Sequence, residues 1–248
     1  MNKEILFNRE LLRQNQTRHS KKFPQHNFLF HEVANRIAEN VEFLNREFES
    51  VLEINQRDVY LSGLIKSQKK EIIADEESLF FEKENSFDLI LSNLNFHFIN
   101  EIPQFLLQVK KVLKPNGIFI ASFFGEENLR ELADVLFKTE NEIYGGISPR
   151  MPPTIDVKTA ANLLAKAGFQ NPISDFEKIE VSYFDPISLL KYLKMMGQSN
   201  VLNKRSRRFF TKKFLNKICE NYRQFYQNSE QKIPATFEVV TTTGWKNS

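Results

Sequence analysis

Three small polar residues follow a short apolar run of the chain and could bind a ligand. The run spans residues 87–91, and Ser92, Asn93 and Asn95 come after it. In open α/β sheets, ligands bind at the carboxyl ends of the strands. If the run is a strand buried on both faces, these side chains lie where a ligand is expected.

His97 lies two residues further on and is the one candidate for a catalytic side chain. Its imidazole could take a proton from a substrate as a general base. The alternative is a structural histidine whose ring packs between Phe96 and Phe98. Beyond His97 the catalytic residues are unknown.

A second candidate is the turn at residues 145–150, which reads Gly-Gly-Ile-Ser-Pro-Arg and cannot be helical. The guanidinium of Arg150 could bind a carboxylate through two parallel hydrogen bonds. The alternative is a turn that ends a helix and leaves Arg150 exposed.

The sequence gives no sign of a metal site. A non-haem iron centre normally needs two histidines and a carboxylate. The chain has four histidines, three of them in its N-terminal region, and none is part of a His-x-Asp or His-x-Glu pair. We therefore expect no metal. The single cysteine, Cys219, excludes an intramolecular disulfide.

Composition is that of an ordinary globular protein, with 41% hydrophobic and 26% charged residues and a net charge of +3. No apolar run approaches the length of a membrane span, so we expect no transmembrane segment and a cytoplasmic location. Residues 204–217 hold seven basic residues and no acidic one. This stretch could attract nucleic acid or an anionic membrane. The alternative is a helix with a solvated basic face, and we expect no nucleic-acid partner.

The elements that position these residues form a β-α-β unit. Residues 101–113 carry apolar side chains at helical spacing, and residues 118–121 form a second buried strand. Two earlier strands are predicted at 51–54 and 71–75, with 16 residues between them. One parallel crossover needs about a dozen residues or more, so these strands connect directly without an intervening strand.

We predict three segments in the chain. Residues 1–48 form an N-terminal arm and helices that pack on the core. Residues 49–183 and 234–245 form an α/β domain of three layers. Residues 184–233, which include a predicted helix at 204–226, form a helical cap inserted before the last strand.

Several motifs together resemble one branch of the class I S-adenosylmethionine (SAM) methyltransferases, whose sheet is Rossmann-like. They cover nearly the whole chain: Ala74–Glu77, Ser86–Leu89, Leu94–Asn100, Leu113–Gly117, Asn128–Leu132, Gly145–Arg150, Leu163–Phe169, Met196–Asn200 and Pro234–Glu238. The branch contains the malonyl-carrier-protein O-methyltransferase of biotin synthesis and the arginine hydroxylase of respiratory complex I assembly. The opening Phe-Asn-Arg and the final Thr-Gly-Trp resemble the hydroxylase side.

The resemblance implies SAM as cofactor and a set of residues to hold it. The positions that match the family's cofactor contacts are Glu53, Asn55, Asp75, Glu76, Ser92 and Asn93. Asp75 and Glu76 match the acid that meets the adenine; the alternative is an exposed acidic loop. On the substrate side the matching positions are Asn95, Gly145, Gly146, Ser148 and Arg150.

The chain departs from the family at the loop after the first strand. Glu53 keeps the family's acid, but Asn55, Arg57 and Val59 occupy positions where the family has glycine. Glycine lets the backbone approach a cofactor, whereas arginine and valine side chains crowd it. The strand that carries the ribose-binding acid, and the helix after it, are also missing by the connection-length argument.

Three functions follow as alternatives. The first is SAM-dependent methyl transfer to a carrier-bound acid or a protein side chain, with SAM binding in doubt because of the altered loop. The second is an arginine hydroxylase or assembly protein whose partner is a complex I subunit. The third is a non-catalytic descendant that binds a partner protein through the cap and the turn at residues 145–150.

Overall fold

The computed structural model describes residues 5–54 and 57–247. These residues form two compact units. The sheet unit comprises Phe28–Gly125, Thr154–Glu177 and Val239–Ser248, and the helical unit comprises Met1–Asn27, Glu126–Pro153 and Lys178–Glu238. The division into arm, α/β domain and cap remains a prediction.

Across its described residues the chain forms one sheet of six strands in the order β2-β1-β3-β4-β6-β5. The strands are β1 (Phe48–Ile54), β2 (Ser67–Ile73), β3 (Phe87–Ser92), β4 (Leu113–Phe124), β5 (Gln170–Tyr183) and β6 (Ile233–Trp245). The first four pair in parallel, and β6 pairs antiparallel to β4. This is the predicted α/β sheet with one strand–helix unit fewer than the family pattern.

The connection between the first two strands is direct, as predicted, and at residues 55–66 it is shorter than the predicted 55–70. β2 pairs directly with β1, from Phe48 opposite Ser67 to Ile54 opposite Ile73. β2 begins earlier than the predicted residue 71, so the helix between the strands is only α3, Tyr60–Leu64. β2 is an edge strand with exposed lysines, which discourage pairing with another chain.

The sheet unit contains four of the described α-helices. These are α2 (Phe28–Phe43), α3, α4 (Ile102–Val112) and α6 (Val157–Lys166). α2 ends before the predicted residue 48, because Asn45 takes a left-handed conformation with φ 46° and the chain then turns into β1. The side chain of Asp156 caps α6 by accepting a hydrogen bond from the amide of Thr159.

The main core of the sheet unit lies on one face of the sheet. Alternate residues of β1, β3 and β4 point to this face, where they pack against the apolar stripes of α4 and α6. The buried residues that form this contact include Leu52, Ile90, Phe119, Phe123, Phe105, Val109 and Leu164. By the same alternation, Glu53 points to the opposite face.

The helical unit contains the other described α-helices, which are α1 (Arg9–His19), α5 (Arg130–Tyr144), α7 (Pro186–Met196) and α8 (Lys212–Tyr226). α5 and α8 pack together, and Tyr226 donates a hydrogen bond to Asp134 at 2.7 Å. No helix among the described residues is long and apolar enough to cross a bilayer.

The predicted helix at residues 204–226 is wrong in its first third. α8 begins only at Lys212, and Thr211 caps it by accepting a hydrogen bond from the amide of Phe214. Residues 204–211 are irregular. An N-cap residue needs an extended backbone, so Thr211 separates the basic stretch into a loop and a first helical turn.

A buried carboxylate joins three strands of the sheet unit. Asp88 of β3 accepts hydrogen bonds from the amide and hydroxyl of Ser50 in β1, at 2.9 and 2.8 Å, and from Lys114 in β4 at 3.0 Å. Burial by itself would raise the pKa of Asp88, but the hydrogen bonds and the ammonium of Lys114 outweigh it and hold the pKa below its usual value.

This arrangement predicts a pH-dependent contribution to stability. Because the pKa of Asp88 is lower in the folded than in the unfolded chain, its contribution is complete above pH ~5 and is lost as the pH falls through the folded-state value. We expect Asp88→Asn to lower the free energy of unfolding at pH 7 by about 1–3 kcal/mol. Urea titrations at pH 7 and pH 3 should show a smaller mutational loss at the lower pH; an equal loss would contradict this account.

Candidate functional site

The predicted cofactor-side residues lie in the sheet unit, where β1 and β3 end. Ile54, the last residue of β1, pairs with Ser92, the last residue of β3, and Ser92 pairs with Ala121 of β4. Glu53 is only 3% exposed, so its carboxylate is held inside the protein at this edge. Glu53 and Ser92 are therefore close in the sheet, while Asn55 lies outside the described residues.

Two predicted site residues, Asn93 and Asn95, hold the turn after β3. The side-chain amide of Asn93 donates to the carbonyl of Phe30 at 2.9 Å, and its oxygen accepts from the hydroxyl of Ser122 at 3.1 Å. Asn95 donates to the carbonyl of Asn93 at 2.8 Å. Leu94 between them has a φ of 52°, which is costly for a branched side chain. The two amides offset this cost, and their cofactor and substrate roles remain predictions.

His97 is packed among aromatic rings. It is 7% exposed, and its ring centroid lies 4.2 Å from that of Phe98 and 5.0 Å from that of Phe124. Phe96 lies in the core and contacts Phe123, with ring centroids 5.2 Å apart. The packing of His97 beside Phe98 agrees with the structural alternative, and its role as a general base remains a prediction.

Asp75 and Glu76 follow β2. Asp75 accepts hydrogen bonds from the amide and hydroxyl of Ser78, both at 3.1 Å, and so caps the short 3-10 helix Glu76–Phe81. Glu76 is 8% exposed, which is unusual for a glutamate and differs from the exposed acidic loop of the alternative. The adenine-binding role of the two acids remains a prediction.

The loop after β1 carries a buried cation. Arg57 is half-buried, and its Nε and Nη2 atoms are inaccessible to solvent. Burial lowers the pKa of Arg57 to about 10, although the neighbouring carboxylate of Asp58 opposes the shift. The guanidinium therefore stays charged at neutral pH and lies inward at a position where the family has glycine.

The same loop is fastened to α2 by side chains, which we call the loop clamp: His31, Asn35, Asp58 and Tyr60. His31 Nε2 lies 2.7 Å from a carboxylate oxygen of Asp58, and its ring stacks on Tyr60 with centroids 3.7 Å apart. Tyr60 donates from its hydroxyl to Asn35 at 3.0 Å. Polar and aromatic contacts thus position this loop where the family uses glycine turns.

The loop clamp was missed in the sequence. A signal existed, since His31 and Asn35 are four residues apart and so share one face of a helix. Nothing in the local pattern indicated that this face meets a loop 27 residues further along the chain.

The predicted substrate-side turn lies in the helical unit. Gly145 ends α5 in a left-handed conformation with φ 65°, and Gly146 follows. The carboxylate of Glu140 in α5 accepts hydrogen bonds from the amide and hydroxyl of Ser148, both at 2.6 Å, and from Arg150 Nε at 2.7 Å. We call the Glu140 and Arg150 side chains the buried ion pair, because they are 3% and 8% exposed.

Arg150 is enclosed on several sides. Its guanidinium lies 4.8 Å from the ring centroid of Phe210 and 4.9 Å from that of Phe214. Asn200 donates to the backbone carbonyls of Pro149 and Arg150, at 2.9 and 2.8 Å. The helix-ending turn is confirmed, but the exposed arginine of that alternative is wrong. The carboxylate that Arg150 binds here belongs to the chain itself, and its role toward a substrate remains a prediction.

Electrostatics agree with the geometry of the buried ion pair. Burial would raise the pKa of Glu140, but the hydrogen bonds from Ser148 and Arg150 together lower it below its usual value. Both partners are therefore charged at neutral pH, as a buried pair requires. Among the described residues, no group of three or more His, Cys, Asp or Glu side chains is arranged to hold a metal ion.

Comparisons with known proteins agree with this fold. The family profile described as methyltransferase domain matches residues 32–121. The YcgJ protein of Bacillus subtilis superposes with a TM-score of 0.53 at 13% identity, over 88% of this chain and 99% of that one. The sheet, its polar edge and these matches define a methyltransferase-domain protein with the class I fold, the fold of SAM-dependent methyltransferases.

Relatives define the family more closely. The mouse protein named arginine-hydroxylase NDUFAF5, mitochondrial, is 35% identical over 243 residues, which cover 88% of this chain and 70% of that protein. A malonyl-[acyl-carrier protein] O-methyltransferase of Methylovorus is 29% identical over 161 residues, or 65% of this chain and 52% of the enzyme. The chain belongs to the NDUFAF5 family, and the resemblance predicted from its motifs is confirmed.

Proposed function

We propose that this chain is a complex I assembly protein of the NDUFAF5 kind, which acts on a partner protein. Its relatives named arginine-hydroxylase match it along most of its length. That name makes an arginine side chain the candidate substrate, and the resemblance stated above makes a complex I subunit the candidate partner. The helical unit and the turn at residues 145–150 are the surfaces proposed to meet the partner.

The loop after β1 is the observation that carries this proposal over methyl transfer. SAM is a sulfonium cation, and the half-buried guanidinium of Arg57 places a positive charge, next to the carboxylate of Asp58, in the loop that holds the cofactor in methyltransferases. The side chain of Arg57 also occupies space that glycine would leave open. We infer that this loop disfavours SAM, and we derive no methyl-transfer step.

Methyl transfer is the second candidate, and the burial of Glu53 favours it. An acid at the end of the first strand is the one cofactor contact of that strand that the chain keeps, and Glu53 is 3% exposed. Asp75 and Glu76 keep the acids of the adenine position. A methyltransferase that bound SAM through these residues would act on a carrier-bound acid or a protein side chain.

Deletion of the gene tests the proposed function. We expect cells without the protein to assemble less complex I, measured on native gels. The candidate arginine peptide should be 16 Da lighter in mass spectra if the protein hydroxylates it. Complementation with the wild-type gene should restore both, and normal complex I levels in the deletion strain would overturn the proposal.

Cell fractionation tests the compartment. The sequence predicts a cytoplasmic location, whereas the NDUFAF5 relatives are named mitochondrial. We propose that the protein lies in the compartment where complex I is assembled. A tagged chain found in another compartment would argue against an assembly role.

A further inference from the structure

The helical unit carries an apolar groove beside the buried ion pair. Its volume is about 340 Å³, and its apolar lining includes Leu6, Pro149, Met151, Pro153 and Leu202. The ring of each proline restricts the backbone, so the groove is largely formed before anything binds. A cavity of this size accepts an apolar side chain and its neighbours.

One border of the groove is strongly basic. Besides Lys204, which lines the groove, the irregular residues 205–211 and the first turn of α8 supply four exposed cations, which are Arg207, Arg208, Lys212 and Lys213. Within the part of the chain that the structure describes, none of the four forms an ion pair with a carboxylate. Phe209 projects among them and is 89% exposed. Cations crowded in this way repel one another and favour an anionic partner.

The groove and its basic border form one continuous surface. Pro149 and Met151, which line the groove, flank Arg150 in the chain. The guanidinium of Arg150 packs on Phe210 and lies 3.5 Å from the hydroxyl of Ser206, so the wall of the groove is fixed to the basic segment. We call this surface the basic groove.

We infer that the basic groove docks an acidic segment of a partner protein, whose apolar side chain fills the groove while its carboxylates meet the cations. The inference rests on the proposed function, since it gives the assembly protein a place to hold its partner. A flat membrane cannot fill a narrow groove, and nucleic acid has no aliphatic side chain to insert. An acidic peptide with an apolar residue complements both the apolar groove and its basic border.

Peptide selection on the full-length protein tests the inference. Phage that display random peptides of about twelve residues should enrich sequences with several Asp or Glu around a Leu, Ile or Phe. The enriched peptide, made synthetically with a fluorescent label, should bind in an anisotropy titration. Its affinity should fall several-fold between about 50 and 300 mM salt, because screening weakens charge pairing.

Matched variants localise the binding. Arg207→Glu with Lys213→Glu should weaken the peptide at least tenfold, and neither side chain makes a described contact that folding needs. Glutamate at residue 213 also suits the first turn of a helix. The control, Lys21→Glu with Lys22→Glu, reverses two exposed charges elsewhere in the same unit. Leu6→Asp tests the groove itself, with thermal melting as the check on folding.

Each outcome of these binding measurements either supports or overturns the inference. Loss of binding in the first and third variants, with the control unchanged, supports the basic groove. Failure to enrich acidic peptides, equal binding by all variants, or tighter binding to vesicles with phosphatidylglycerol or to an RNA oligonucleotide would overturn it. The deletion strain separates this result from the proposed function. If the Arg207→Glu/Lys213→Glu variant fully restores complex I assembly in that strain, the docking surface is disproved and the assembly role stands.

Discussion

Replacing Arg150 with alanine is expected to lower the free energy of unfolding by about 3–5 kcal/mol, because it leaves the buried carboxylate of Glu140 without its counter-charge. The variant also removes the guanidinium that packs on Phe210 and Phe214. Urea denaturation followed by circular dichroism measures the loss. If the helical unit melts separately, its own transition is the one that should move.

Comparison with a double variant distinguishes the ion pair from simple packing. The pair Glu140→Gln with Arg150→Met should cost less than Arg150→Ala alone, since no buried charge is left without a partner. Arg207→Ala is the matched control, because that arginine is exposed, and its cost should stay within about 0.5 kcal/mol. Equal losses for Arg150→Ala and Arg207→Ala would show that the pair contributes nothing.

Calorimetric titration with SAM gives the second large effect. The wild-type protein should show no saturable heat at SAM concentrations up to about 1 mM. A variant with glycine at positions 55, 57 and 59 restores the residues of the family pattern and removes the cation of Arg57. We expect this variant to bind SAM at least tenfold more tightly than the wild-type chain.

The control for this variant adds glycine without touching the loop. Asn45 and Asn85 have φ values of 46° and 54°, so glycine is tolerated at both, and Asn45→Gly with Asn85→Gly should leave SAM binding unchanged. Micromolar binding of SAM or its demethylated product by the wild-type protein, weakened by Asp75→Ala, would contradict the steric account and favour the methyltransferase.

The SAM titration and the Arg150 variants test two different sites of the protein. The SAM titration reports on the loop after β1 in the sheet unit, while the Arg150 variants report on the turn that the resemblance assigns to the substrate side. For an assembly protein we expect that the wild-type chain does not bind SAM and that the Arg150 variant no longer binds the partner. Complementation of the deletion strain with each variant makes that comparison directly.

The local pattern of the chain was enough to predict the sheet and most of its helices. The β-α-β unit appears at residues 87–124 as predicted, because periods of two and 3.6 residues depend on which side chains are buried, and burial is visible in the local pattern. The missing strand followed from the predicted 16-residue connection, which is too short for two crossovers with a strand between them. The altered loop was visible as substitutions of glycine.

The pairing of the polar residues could not be predicted in this way, because it depends on how the chain folds in three dimensions. Arg150 looked like a free carboxylate binder, yet it meets Glu140 in the preceding helix and Phe210 sixty residues later. His31 meets Asp58 across 27 residues. A charged side chain can accept many partners, and the return of the chain through space decides which partner it finds. Local sequence therefore predicts where a polar residue lies, whereas its contacts depend on residues that the pattern does not connect.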